Sequence, residues 1–181
     1  MKCKKIFKCE IIGIFVVVAL GFLWHELFDL SGKNIIIGMI APVNESIWEH
    51  WKLCVFPMLI YAAVEYPFVK DEWNNFLFSK FIGIVVAIIV CFGLIALWKL
   101  AFPDTSFKSN MIVDISSYIL GIIVAQFTSY LLGCNLKEPN TTLWYIAIFF
   151  LSALVILFIV FTFNPPKIDY FRDSVTGKYG I

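Results

Sequence analysis

The chain has 181 residues, 61% of them hydrophobic and 15% charged, with a mean hydropathy of +0.88. A soluble domain is nearer half apolar and a quarter charged, so this composition excludes an ordinary soluble domain. The formal net charge of +1 leaves no electrostatic footprint for nucleic acid or an acidic partner.

The apolar excess falls into long runs. It reads as one all-α polytopic membrane domain over 1–181, a bundle of about five transmembrane helices. The first span covers 10–30, behind a basic head of Lys2, Lys4, Lys5 and Lys8. A signal peptide begins in the same way. This run, however, continues to Leu30 without a small-residue cleavage site, so it reads as a retained helix. His25, Glu26 and Asp29 occupy its last turns, and His25 and Asp29, four apart, share a face. Ser31–Gly32 breaks the helix. Asn34–Ala41 is apolar but too short to cross, and Pro42 ends it, which suits a re-entrant or interfacial piece.

The second span, 46–66, opens inside the stretch Pro42–Val43–Asn44–Glu45–Ser46–Ile47–Trp48–Glu49–His50–Trp51–Lys52. Ser46-x-x-Glu49 has the spacing of a capping box, in which serine and glutamate satisfy backbone N–H groups reciprocally. Glu49 and Lys52 are also spaced for an i, i+3 ion pair. Pro57 is expected to kink the helix. His50, Cys54, Tyr61 and Glu65, at 4-7-4 spacing, share a face that could line a polar cavity or carry Tyr61 and Glu65 to the far interface. Trp48 and Trp51 read as interface anchors.

Residues 65–80 form a polar, aromatic loop, and the third span, 81–102, is nearly featureless and expected to face lipid. A short loop, Pro103–Asn110, leads to the fourth span, 111–133, the most polar one. There Asp114, Ser117, Gly121, Ala125 and Thr128 share a face whose small residues suit close helix packing. A carboxylate such as Asp114 costs about 2.5–3.5 kcal/mol at mid-bilayer and needs a partner or water. Asn140-Thr141-Thr142 fits both a glycosylation site and a helix cap. The fifth span, 141–163, ends at Pro165–Pro166, and a polar tail fills 164–181. The five cysteines, Cys3, Cys9, Cys54, Cys91 and Cys134, have no zinc-ribbon or thioredoxin spacing and read as free thiols or small buried hydrophobes.

Five spans place the end of the first, the start of the second, the end of the third, the start of the fourth and the tail on one membrane side. His25, Glu26, Asp29, Asn44, Glu45, Glu49, His50, Asp114 and Ser117 are then all on that side. With a rise of about 1.5 Å per residue, their depths agree. The arrangement requires that Asn34–Ala41 does not cross. Lys and Arg divide seven against seven over the two sides. The first helix usually dominates, which puts the N-terminus in the cytoplasm of a plasma-membrane protein and the polar site outside.

Two imidazoles with several carboxylates suffice to hold a divalent metal, zinc, iron or manganese, with His25, Glu49, His50 and Asp114 as candidate ligands. Glu26, Asn44 and Glu45 are candidate ligand-binding residues at the entrance. No HExxH, P-loop, dinucleotide fingerprint or serine-nucleophile motif occurs. The leading expectation is small-solute or ion binding or transport, since ionisable residues in spans mark ion, proton or substrate paths. The alternatives are a metal-dependent membrane hydrolase and a structural or interaction subunit. Membrane lipid is the expected partner, with a second copy or another membrane subunit left open.

PVNESIWEHWK, followed by a helix containing Pro57, resembles a family of small bacterial integral membrane proteins of about this length and five spans. The tail adds to the resemblance: Pro165–Pro166, Tyr170–Phe171–Arg172–Asp173, then Thr176–Gly177–Lys178–Tyr179–Gly180. In that family a proline often follows the aspartate, where this chain has Ser174. The resemblance implies an integral membrane protein and carries over no activity, substrate or catalytic residue.

Overall fold

The computed structural model describes residues 2–104 and 106–181. Among them lie α1 (Lys2–Leu30), α2 (Ile35–Gly38), α3 (Ile47–Val69), α4 (Phe76–Ala101), α5 (Phe107–Asn135) and α6 (Thr141–Phe163), then a 3-10 turn at Asp169–Phe171. Five of these, all but α2, are long and apolar enough to cross a membrane. The chain is an all-α, multi-pass membrane protein.

Several spans are longer than hydropathy implies, and for α3 and α4 buried charge is the reason. The loop expected over 65–80 shrinks to the link between Val69 and Phe76. Glu65 and Lys80 are helical and buried, because they pair with each other across α3 and α4. Pro57 and Pro67 both lie within α3. The basic head is helical from Lys2, since nothing in it breaks a helix. The Pro103–Asn110 loop is shorter than expected, because Ser106 caps α5 by accepting from Ser109 N; residue 105 of that loop lies outside the described residues. Asn140 likewise caps α6, accepting from Thr142 N at 2.9 Å.

Residues 31–46 fold back instead of crossing. The Asn34 side chain caps the single turn of α2. Trp24 Nε1 donates to the Ile40 carbonyl at 2.8 Å, pinning the segment to the end of α1. The ends of α1 and the start of α3 therefore share one face of the bundle.

α1 packs against α5 and α3; α4 packs against α5, α3 and α6. The expectation that the third span faces lipid is corrected for one side of α4, which buries Ile84, Ala87, Ile88 and Cys91. Small residues of α5 permit that approach. A Cβ added at Gly121 would lie 3.0 Å from the Ala87 carbonyl oxygen and 3.2 Å from Cys91 Cβ. Gly121→Val should therefore cost about 1–3 kcal/mol by overpacking. A thermal unfolding midpoint equal to wild type in detergent would contradict that packing.

Trp48 is a core residue, not an interface anchor. It is buried among Trp51, Phe158, Phe161 and Phe171, with ring centroids 5.1–5.4 Å away. The tail reaches it through Phe171, which the 3-10 turn directs inward. Cys3 and Cys134 form a disulfide between α1 and α5, so they are not free thiols, whereas Cys54 and Cys91 are free and buried.

Candidate metal centre

The polar stretch 42–50 and the tail build one face of the bundle together. Ser46 starts α3 with its hydroxyl accepting from Glu49 N at 3.3 Å. The second half of the expected capping box is missing. Ser46 N donates to Asn44 Oδ1 at 3.0 Å, and the Glu49 carboxylate turns inward to accept from Val43 N and from Lys52. Lys52 is fully buried and donates to Glu49 Oε2 at 2.6 Å, Thr162 Oγ1 at 2.7 Å and the carbonyls of Gly38 and Ala41. Glu49 is therefore the anion of a buried structural pair and stands apart from the histidines.

With Glu49 turned away, Glu45 is the carboxylate that meets both imidazoles. His50, in the first turn of α3, and His25, near the end of α1, bring their Nε2 atoms to 3.3 Å. Glu45 Oε2 lies 3.2 Å from His50 Nε2, and Glu45 Oε1 lies 3.6 Å from His25 Nε2. One donor atom from each of the three residues falls within 4.8 Å of the others. All three side chains are partly open to the surface.

The other nitrogen of each ring is occupied. His50 Nδ1 donates to the Ser46 carbonyl at 2.8 Å, and His25 Nδ1 donates to Glu26 Oε1 at 3.0 Å. Such partners fix the tautomer with Nε2 as the lone-pair atom. Two ring lone pairs and a carboxylate thus converge on one point, which must hold a proton or a cation. For tetrahedral zinc with bonds of about 2.0–2.1 Å, neighbouring ligand atoms are about 3.3–3.4 Å apart. The two Nε2 atoms, 3.3 Å apart, match that spacing, while a different Glu45 oxygen faces each ring, Oε2 at 3.2 Å from His50 and Oε1 at 3.6 Å from His25.

The imidazole of His25, then that of His50, holds the Glu45 carboxyl below the usual carboxylate range. The sign follows from linkage: a group depressed in the folded state stabilises it above its ordinary value and ceases to as pH falls. The thermal midpoint of metal-free wild type should exceed that of Glu45→Gln at neutral pH. The gap should close in acid, below the ordinary value of 4.5. A gap independent of pH would mean that Glu45 is not held by the imidazoles.

The remaining sequence candidates lie elsewhere. Asp114 is exposed on α5. Asp29 pairs with Lys33 at the surface. Asn44 serves the tail, donating from Nδ2 to the Gly180 carbonyl at 3.2 Å. The stripe His50, Cys54, Tyr61, Glu65 divides: His50 belongs to this centre, Cys54 is buried in the core, the Tyr61 hydroxyl donates to the Cys9 carbonyl, and Glu65 pairs with Lys80.

Sequence reading missed how Glu45 is held. Glu45 N donates to Asp173 Oδ1 at 3.2 Å, and Ser174 Oγ donates to the Glu45 carbonyl at 3.1 Å. The Ser174 side chain thus holds the backbone of Glu45 directly.

A family model described as "Family of unknown function (DUF6512)" matches residues 1–181. No curated protein and no solved structure matches the chain.

Proposed function

Because the chain belongs to the DUF6512 family, whose function is unknown, we propose from the geometry that it is a membrane protein that binds a divalent transition metal through His25, Glu45 and His50. The observation that carries this reading is the convergence of two ring nitrogens, 3.3 Å apart, with a carboxylate, one donor atom from each residue lying within 4.8 Å of the others and each Nδ1 already committed to a hydrogen bond. Imidazole nitrogen and carboxylate oxygen suit zinc, iron or manganese. Beneath the site the bundle is closed by Val17, Val55, Ile84 and Ile122, all fully buried apolar residues. That packing favours binding at one membrane face over passage through the bundle.

Elemental analysis of the detergent-purified protein tests the proposal. About one zinc, iron or manganese per chain is expected, lost in both His25→Ala and His50→Ala and kept in Asp114→Asn. Binding should weaken as pH falls, because each imidazole must be deprotonated to ligate. Metal retained in full by His50→Ala, or none bound after incubation with each metal, defeats the reading.

A metal-dependent hydrolase is the second reading. Three protein donors leave a fourth position for water or substrate, and a metal supplies a nucleophilic water at neutral pH. Chelator-sensitive hydrolysis of phospholipid in vesicles, absent from His50→Ala, would select it.

A further inference from the structure

At the opposite end of the bundle lies a second polar group, built from charges that the metal centre does not use. Glu10 and His25 are fifteen residues apart on α1, as are His50 and Glu65 on α3. With a rise of about 1.5 Å per residue, the two groups are about 22 Å apart. Lys80 Nζ, on α4, lies 2.9 Å from Glu10 Oε1 and 2.5 Å from Glu65 Oε2. All three residues are at most 2% exposed. The rings of Trp73, Tyr61 and Phe76 stand 5.1–5.6 Å from the ammonium.

The charges do not balance. Two carboxylates face one ammonium, and among the described residues no other cation pairs with them. Lys5 is committed to Glu72 at 3.2 Å nearer the surface. Tyr61 gives its hydroxyl proton to the Cys9 carbonyl, and Cys9 is a thiol beside the group. From α5, among the described residues, the side chains at the group are the neutral Gln126 and Ser129. Gln126 Oε1 is 3.5 Å from Lys80 Nζ, and the Ser129 hydroxyl lies beside Glu10. An uncompensated charge costs several kcal/mol in such a site, so one carboxyl must be neutral. When two carboxyls share one site, one ionises and the other keeps its proton.

The two contacts to Lys80 are unequal. The shorter one, 2.5 Å to Glu65 against 2.9 Å to Glu10, holds Glu65 as the anion and leaves the proton to Glu10. Trp73 and Phe76, whose rings stand beside Lys80, also line a cavity of about 660 Å³. Lys70, Asn74 and Asn75 line the same cavity at this end of the bundle.

We propose that Glu10, Glu65 and Lys80 form a proton-binding site in which the two carboxyls share one exchangeable proton, held on Glu10 and released towards this end of the bundle.

The test is infrared spectroscopy of the full chain in nanodiscs, reading the carbonyl stretch of protonated carboxyl groups at neutral pH, where exposed carboxylates are ionised. Wild type should show one protonated carboxyl per chain. Its band should shift in heavy water and disappear as pH is raised. Glu10→Gln and Glu65→Gln should each remove it, because either leaves one anion against Lys80. Lys80→Met should double it, because both carboxyls are then neutral. Asp114→Asn should leave it unchanged. Absence of the band in wild type overturns the proposal, and that result needs no variant to fold. A band that neither heavy water nor pH alters, or one lost in Asp114→Asn, overturns it equally.

Discussion

Lys52→Met is expected to destabilise the protein by about 3–5 kcal/mol, the cost of removing one partner from a buried ion pair. The ammonium is fully buried and contacts four acceptors: the Glu49 carboxylate, the Thr162 hydroxyl and the carbonyls of Gly38 and Ala41. Methionine fills similar volume but donates nothing. The Glu49 carboxylate would keep Val43 N as its backbone donor at 3.0 Å and the Thr162 hydroxyl at 3.3 Å, without a counter-charge. The damage would also reach the fold-back segment, because Lys52 is what ties Gly38 and Ala41 to α3 and α6. Adding Glu49→Gln to Lys52→Met should recover part of the loss, since the buried charge then disappears with its partner. Reversible unfolding in detergent measures both. A Lys52→Met protein within about 0.5 kcal/mol of wild type, the range of ordinary surface changes, would show that the pair is not what holds this end together.

That pair also shows where sequence reading stops. Hydropathy makes the five spans legible, because lipid leaves a long apolar run few other forms. Span ends are harder, since a charge looks like a loop until its partner is known. Lys80 and Glu65 fall at the edges of apolar runs and read as loop residues. In the folded chain they face each other, buried, from adjacent helices. The same parity that gathers His25, Glu45 and His50 on one side puts Glu10, Glu65 and Lys80 together on the other. Their charges are the signal that could have revealed them. By sequence Glu49 reads as the metal carboxylate and Glu45 as an entrance residue, four residues apart and both near His50. What separates them is the inward turn of Glu49 towards Lys52, an i, i+3 partner visible in the sequence but equally compatible with a solvent-exposed pair. Asp114 shares the expected membrane side of the histidines but is exposed on α5 and is not among the three converging donors. Parity fixes side and depth but not the direction in which a helix faces.

If the proposed metal centre forms, Asp173→Ala should lower its affinity tenfold to a hundredfold, the usual cost of losing a group that orients a ligand, although Asp173 touches none of the three donor atoms. Its reach comes through the backbone of Glu45. Asp173 Oδ1 accepts from Glu45 N at 3.2 Å and from Val175 N at 3.1 Å, while Oδ2 accepts from Thr176 N at 3.2 Å and from the Thr176 hydroxyl. Burial pushes the Asp173 carboxyl up, but the Thr176 hydroxyl and the backbone N–H groups outweigh it and hold the group below its ordinary value. The anion is therefore the form that fits this turn, and its contribution is lost only as pH falls below the ordinary carboxylate range. Gly180, at φ +64°, then brings the chain back so that its carbonyl meets Asn44 Nδ2 and Ile181 N donates to Thr162 O at 3.1 Å. The tail thus clamps residues 44 and 45 from above, while Ser46 and Lys52 fix the helix below. Asp173→Asn keeps one acceptor oxygen and should lose less affinity than Asp173→Ala. Ser174→Ala, which removes a single bond to the Glu45 carbonyl, should lose least. Metal titration of the three variants, each checked for folding by circular dichroism, gives the order. Equal affinities in folded Asp173→Ala and wild type would mean that Glu45 needs no support from the tail, and the clamp would then be a feature of stability alone.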